Sequence, residues 1–353
     1  MKFERRIAGT ASSCAYWALI MSIYGPIRKN WFLIGLLSAV GLAFATPGLG
    51  TTLNPSGWTT RIIVIVLFLI AGFILPSERI KSGLAQYKLH VFLQLFIFGF
   101  IPVYFWLTAR LFTAYLDGLL VYGMFALAVL PTTVSTCVVF TQTTGGNTVG
   151  ALFNSALSNV VGIFLSPLLL SLFLAGSSAA LPAENVLGTL QSLVLTMFLP
   201  VAAGQALHIR FRETAHRIRK KLSEASSALI LLIVYITISS ISDNLEFVGM
   251  LPELPVPFLF LAATHLLFVA SAYYGAKTIG LSRKDRISAM FVGPEKTMAM
   301  GVPLLTVYFV GRPDLLAVAL LPLLFYHPFQ LLTGAVLRSL PAFRPAPESG
   351  SAP

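Results

Sequence analysis

The feature that most constrains this chain is a series of apolar runs, each about 20 residues long, that recurs from one end to the other. A helix of that length crosses a hydrocarbon core of roughly 30 Å. Ten such segments are read at about 31–48, 61–76, 90–109, 118–140, 148–174, 186–208, 225–242, 256–280, 287–310 and 314–338. The loops between them are short, which leaves no room for an extramembrane domain. Hydrophobic residues make up 56% of the 353 and charged residues only 10%, against roughly 25% charged in an average soluble domain. A soluble enzyme is thereby excluded. The expected fold is an all-α, polytopic membrane protein.

The net charge of +11 would prompt a nucleic-acid reading in a soluble protein. Here it reports topology, because Lys and Arg collect in cytoplasmic loops, and no basic patch interleaved with aromatics appears. Twenty of the 24 cations fall in the N-terminal 30 residues, in alternate loops (Arg79, Lys81, Lys88; Arg210 to Lys221; Lys277 to Arg286) and at Arg338 and Arg344. The other face receives Arg61, Arg110 and Arg312, with the acidic Asp243, Glu246 and Glu253. This alternation predicts ten spans with both termini cytoplasmic, in a bacterial-type inner (plasma) membrane. Cys14 and Cys137 make neither a disulfide framework nor a metal site. The basic start has no small-residue cleavage site, and Met21 is an alternative start to Met1.

One cation remains. Lys296 lies inside the ninth span beside Glu295, where a charge costs about 2.5–3.5 kcal/mol on insertion scales. Either the two form an internal structural ion pair or they mark a substrate or ion pathway; the second reading is favoured by the prolines. Span four contains Leu130-Pro131-Thr132-Thr133-Val134-Ser135-Thr136-Cys137, and span nine contains Gly293-Pro294-Glu295-Lys296-Thr297-Met298. Proline removes a backbone donor and disfavours helix at the preceding residue, yet suits the first position of a new helix. Both spans are therefore expected to be broken, each with a half-helix starting at its proline. Such an N-terminus presents unpaired N–H groups and a partial positive charge, which suits an anion.

Pro131 and Pro294 are 163 residues apart, and Pro167 and Pro328 are 161 apart. Five spans per half is an odd number, so the second half is expected upside down relative to the first. Interrupted segments at matching positions of two inverted halves point to a transporter's midplane site. Gln94 in span three and Asn154, Ser155 and Ser158 in span five are further candidates, as ligands or as interhelical glue. His265 and His327 are placed to relay protons or simply to bond a backbone carbonyl. Thr143 to Asn147 reads as a tight turn. No zinc, nucleophile-elbow or Walker motif appears, so no enzyme and no ATP drive is expected, and no cofactor beyond a coupling sodium ion or proton.

Lys88-Leu-His-Val-Phe-Leu-Gln94, Gly145-Gly-Asn147, Phe153-Asn-Ser-Ala156, Lys296-Thr-Met-Ala-Met-Gly-Val-Pro303 and Tyr326-His-Pro328 together resemble the bile acid:sodium symporter superfamily (solute carrier family 10). More narrowly, they resemble its divergent branch of member seven and bacterial relatives. The resemblance implies two inverted five-helix repeats (31–174 and 175–340) between an N-terminal segment (1–30) and a C-terminal tail (341–353), arranged as a panel and a core. It implies unwound, crossing helices four and nine. It also implies sodium at Thr136, Ser155 and Glu295, with Gln94, Asn154 and Ser158 nearby. Two departures stand out. Cys137 takes a position where a hard cation wants oxygen. Lys296 brings an ammonium where sodium ligands are expected, so it either replaces one sodium or titrates to couple transport to protons.

The function read from the sequence is a secondary-active transporter of a small organic anion, working by alternating access within the lipid bilayer and without an obligate protein partner. The alternatives are an intramembrane enzyme on a lipid-linked substrate, using Glu295 and His327, and a non-transporting regulatory membrane protein.

Overall fold

A computed structural model describes residues 31–75, 86–112, 118–175, 191, 192, 194–242 and 251–343, with 188, 244, 248 and 249. The N-terminal segment with Cys14 and Met21, Arg79, Lys81, Asp243, Glu246 and the tail from 344 lie outside the described residues. Among the described residues every regular element is helical.

Six helical stretches are individually long and apolar enough to cross a membrane: Pro55–Ile74, Tyr87–Ala109, Thr148–Leu174, Arg212–Ser239, Leu251–Thr278 and Pro313–Leu337. They coincide with the second, third, fifth, seventh, eighth and tenth segments expected from the sequence. The first is not one rod. Helix α1 (Trp31–Ala45) and helix α2 (Pro47–Leu53) meet at 103°. The residue before Pro47, Thr46, leaves helical geometry, as a residue preceding proline tends to. Its carbonyl accepts from Ser239 Oγ at 3.0 Å, so the bend is held by a distant helix.

The chain continues through α3 (Trp58–Ile74) and α4 (Tyr87–Leu95), which passes by a π-turn at Phe96–Phe100 into α5 (Ile101–Phe112). Then come α6 (Gly118–Ala128), α7 (Ser135–Thr143) and α8 (Thr148–Leu174). The sixth expected segment is described continuously from Val194 and contains α9 (Leu199–Arg210). The remainder is α10 (Arg212–Ser239), α11 (Pro255–Thr278), α12 (Arg283–Val292), α13 (Met298–Tyr308) and α14 (Pro313–Leu337).

Both proline-marked spans are broken, but not where the prolines alone place the new helices. The second halves, α7 and α13, start at Ser135 and Met298, four residues beyond Pro131 and Pro294. The intervening residues stay non-helical because their backbone groups are engaged by side chains from elsewhere. Pro167 and Pro328 mark no break at all; they lie within the continuous helices α8 and α14, as proline is tolerated in membrane helices whose neighbours satisfy the freed backbone.

The helices pack as two groups. In one, α3 packs on α9, and α10 packs on α1, α2 and α3. In the other, α6 packs on α14, α11 on α12 and α14, and α8 on α7 and α12. Helix α13 touches both, packing on α14 and also against α3 and α10. Outward positions such as Leu37, Leu172 and Leu259 are more than 60% exposed, an apolar surface that suits lipid rather than water. These properties make the chain a multi-pass membrane protein.

In the first group α3 and α9 approach closely enough to touch backbone to backbone. A Cβ at Gly72 would lie 2.1 Å from the Val201 carbonyl oxygen, and one at Gly204 would lie 2.2 Å from that of Leu69. Small residues permit this approach, which in a membrane replaces the missing hydrophobic drive with dispersion contacts. Gly204→Val should lower the melting temperature in detergent by about 4–10 °C. Gly41→Ala, where nothing lies within 4 Å, should leave it unchanged in the same thermal-shift assay.

Candidate functional site at the crossing of two broken segments

Residues 129–134 and 293–297 lack the helical ladder, so each of their polar groups needs a partner inside an apolar medium. Helix α8 serves the first break. Ser166 Oγ donates to the Val129 carbonyl at 2.6 Å, Ser158 Oγ accepts from the Thr132 amide at 3.4 Å, and Asn159 Nδ2 donates to the Thr132 carbonyl at 2.9 Å. Helix α14 serves the second. Tyr326 Oη donates to the Pro294 carbonyl at 2.8 Å. Gln330 grips Lys296 from both sides: its Oε1 accepts from the Lys296 amide at 2.8 Å and its Nε2 donates to the Lys296 carbonyl at 2.9 Å. The breaks also join each other directly, because the Thr297 amide donates to the Pro131 carbonyl at 3.0 Å.

Glu295 and Lys296 are 2% and 1% exposed, and their side chains diverge. Lys296 Nζ donates to the Ala128 carbonyl at 2.8 Å and the Leu130 carbonyl at 2.7 Å. These belong to the end of α6, where helix carbonyls lack partners and the dipole is negative. The ammonium therefore closes the first half-helix of the other broken segment. Glu295 Oε2 instead accepts from Thr133 Oγ1 and Thr136 Oγ1, each at 2.5 Å, and from Cys137 Sγ at 3.2 Å; Thr133 and Thr136 are also hydrogen-bonded to each other. The ion pair weighed as the alternative reading does not form; instead there are two separate attachments, each tying segment nine to segment four.

Thr133, Ser135, Thr136, Thr297 and Met298 line a cavity of about 380 Å³. Its opposite wall comes from α3 (Leu67, Ala71) and α10 (Ser223, Ser227, Ile230), so the starts of both half-helices face the space between the two helix groups. His327 lines it too, oriented by Gln330 Nε2 at 2.9 Å and by the edge of Phe32 at 5.9 Å. Because the Lys296 amide must donate, Gln330 Oε1 is the acceptor and Nε2 the donor. His327 Nδ1 then accepts and its proton sits on Nε2. Glu295 and Lys296 lie behind this lining rather than on it.

The sequence profile of the SBF-like CPA transporter family matches residues 30–341. The chain belongs to that family. Curated relatives include proteins named sodium/bile acid cotransporter 7 of Danio rerio, 32% identical over 324 residues (90% of this chain, 95% of that one), and of Rattus norvegicus, 31% identical over 326 residues (90% and 94%). An uncharacterized protein of Pseudomonas aeruginosa is 28% identical over 311 residues (87% and 91%). The chain is accordingly a membrane transporter of this family and not an enzyme.

Around this crossing the other candidates are placed unevenly. Thr132 Oγ1 lies 3.3 Å from Cys137 Sγ, inside the cluster that holds Glu295. Gln94 Nε2 reaches Asn154 only at 3.4 Å, while Asn154 Nδ2 donates to His90 Nδ1 at 2.9 Å. Gln94 Oε1 and Ser155 Oγ are buried without a hydrogen-bond partner. His265 sits outside the cavity lining; its Nδ1 is 3.0 Å from Tyr326 Oη. Since that hydroxyl donates to the Pro294 carbonyl, His265 Nδ1 carries the donating proton.

Gln330, Tyr326 and His90 were not foreseen as site residues. The available signal was their spacing: Tyr326 and Gln330 are one turn apart on an otherwise apolar segment, as Ser155 and Asn159 are. Asn147, expected only to complete a turn, is a junction. Its Nδ2 donates to Gln86 Oε1 at 2.6 Å and Asp285 Oδ1 at 2.7 Å, its Oδ1 accepts from the Gly150 amide at 2.9 Å, and its own amide donates to the Lys284 carbonyl at 3.0 Å. It caps α8 while binding the starts of α4 and α12.

Gln330→Leu strips two buried backbone groups of their partners, at about 1–3 kcal/mol each. It should lower thermal stability by several degrees and abolish uptake, whereas Leu331→Ala on the cavity rim should leave thermal stability within about 3 °C of the parent.

Proposed function

We propose that this chain is a secondary-active, alternating-access transporter of a small organic anion. The reading includes ten membrane-spanning segments in two inverted five-helix repeats (31–174 and 175–340), in the inner (plasma) membrane, with both termini cytoplasmic. The observation that carries it is the arrangement of space between the two helix groups. One cavity holds both half-helix starts. A second, of about 610 Å³, lies at the other ends of the same helices, against Trp58, Arg61, Thr237 and Ser240. On α3 the two are separated by a single turn, Val64 lining one and Leu67 the other. Access that alternates across a thin apolar barrier needs a small shift of one group against the other. The names of the relatives, which mention bile acid and sodium, support an amphipathic organic anion as substrate.

Coupling rests on the buried acid. The hydroxyls of Thr133 and Thr136 that donate to Glu295 also carry lone pairs, so an entering sodium ion would exchange hydrogen bonds for oxygen ligands. The unpartnered oxygens of Ser155 and Gln94 supply further candidates. Lys296 takes the part of a second cation: it is tethered, and it neutralises the carbonyls at the end of α6. We therefore expect one coupling cation, sodium or a proton, per cycle.

In proteoliposomes, a panel of organic anions should be accumulated only with an imposed sodium or proton gradient. Glu295→Gln should cut accumulation at least about tenfold while the melting temperature stays within a few degrees. Lys296→Ala should abolish uptake in protein that still inserts. Gradient-independent uptake, a sodium-to-substrate ratio of two, or normal uptake by Lys296→Ala would each overturn the corresponding part of this reading.

A further inference from the structure

Helix α10 is longer than its membrane crossing requires. Its 28 residues span about 42 Å, roughly 12 Å more than a hydrocarbon core needs. Its apolar run starts only at Ala225, one residue beyond Glu224. The turns before that lie at the level where α3 ends, because Arg219 and Ser223 line the same cavity as Ile74 and Leu75. The charged first half of α10 therefore stands at headgroup depth, where the bilayer meets water.

Between Arg210 and Glu224 the chain carries six cations and two carboxylates, and several of these charges are already engaged. Lys220 lies 4.0 Å from Glu224, and Arg212 and Arg219 have partners of their own. Glu213 sits in the first turn of the helix, where the dipole favours it. Arg217 and Lys221 remain. Both are exposed, they lie one turn apart on one face, and among the described residues neither has an ion-pair partner. The opposite face holds the buried Ala215 and the cavity-lining Arg219. The arginines of α12 are different: Arg283 donates to the Ala342 carbonyl at 2.9 Å and Arg286 to the Leu281 carbonyl at 2.7 Å. Those cations close the fold, whereas Arg217 and Lys221 face outward unmatched.

The adjoining end of α9, which packs against α10, supplies an apolar surface. Leu207, Ile209 and Phe211 are exposed there, and the Arg210 guanidinium lies 5.4 Å from the centre of the Phe211 ring. A dissolved anion has no use for that apolar rim, but a phospholipid uses both parts. We propose that the outward face of α10 around Arg217 and Lys221 binds the headgroup of an anionic phospholipid, with its chains along the exposed end of α9. The proposal goes beyond the transport reading and does not depend on it. Because the other face of α10 walls the cavity of the crossing, the bound lipid braces that wall.

The test uses the full chain in a neutral detergent, with dioleoyl phosphatidylglycerol and dioleoyl phosphatidylcholine as probes, so that only the headgroup differs. Lipid retention is read by native mass spectrometry and stabilisation by thermal shift. The parent should retain phosphatidylglycerol at least about tenfold more than phosphatidylcholine, and phosphatidylglycerol should raise its melting temperature by several degrees. In the double variant Arg217→Gln with Lys221→Gln that preference should fall about fivefold or more, while Arg217→Lys should keep it. Removing two exposed cations elsewhere, by Lys88→Gln with Lys277→Gln, should change it less than about twofold. If the first double variant fails to fold, the parent is compared at about 50 mM and 500 mM salt, where a several-fold loss of preference is expected. No headgroup preference in the parent, an equal fall in both double variants, or the same stabilisation by equimolar inorganic phosphate overturns the proposal.

Discussion

Every feature of this protein's centre follows from one constraint: a peptide group inside a membrane cannot turn to water. Breaking two spans frees N–H and C=O groups at mid-depth, and each must be met by a side chain or by the other break. Ser158, Asn159 and Ser166 meet the first break; Tyr326 and Gln330 meet the second. Because these donors and acceptors come from α8 and α14, those helices are tied to the broken segments they serve. The group that carries the crossing is therefore held together by hydrogen bonds as well as by packing.

The buried charges extend the same logic. Lys296 is held by two carbonyls at the end of α6, and Glu295 by hydroxyls at the start of α7. A cation meets the negative end of one half-helix while an acid sits close to the positive end of the other. Each charge ties segment nine to a different half of segment four, so the crossing is pinned on both sides of the break. The site is thereby placed at the interface with the other helix group, where α13 touches α3 and α10. A cavity lies on each side of that contact.

What a change of access requires is then simple in outline. The α3–α9 contact is backbone on backbone, through Gly72 and Gly204, so that layer too behaves as a unit. In the alternating-access cycle proposed above, one group rocks against the other past Val64, Leu67 and Ile230, and the hydrogen bonds of the crossing, which lie within one group, stay intact. Asn147 adds a tie at the end of that group where the starts of α4, α8 and α12 meet.

Much of this was legible in the residues themselves. Apolar run length located the six membrane-long helices, because a bilayer's thickness sets the minimum length of a span. Pro131 and Pro294 determined that two spans are broken, since proline cannot complete the ladder, and Lys296 announced a polar interior by its sheer cost there. Only the tertiary structure decided where the new half-helices begin, because that depends on distant side chains claiming the backbone before it can coil. It also decided that Glu295 and Lys296 part company, since adjacent residues in a non-helical stretch point to opposite sides. Gln330 stayed invisible as a site residue for the same reason: a polar side chain in an apolar helix says that it needs a partner, and only the packed fold says which.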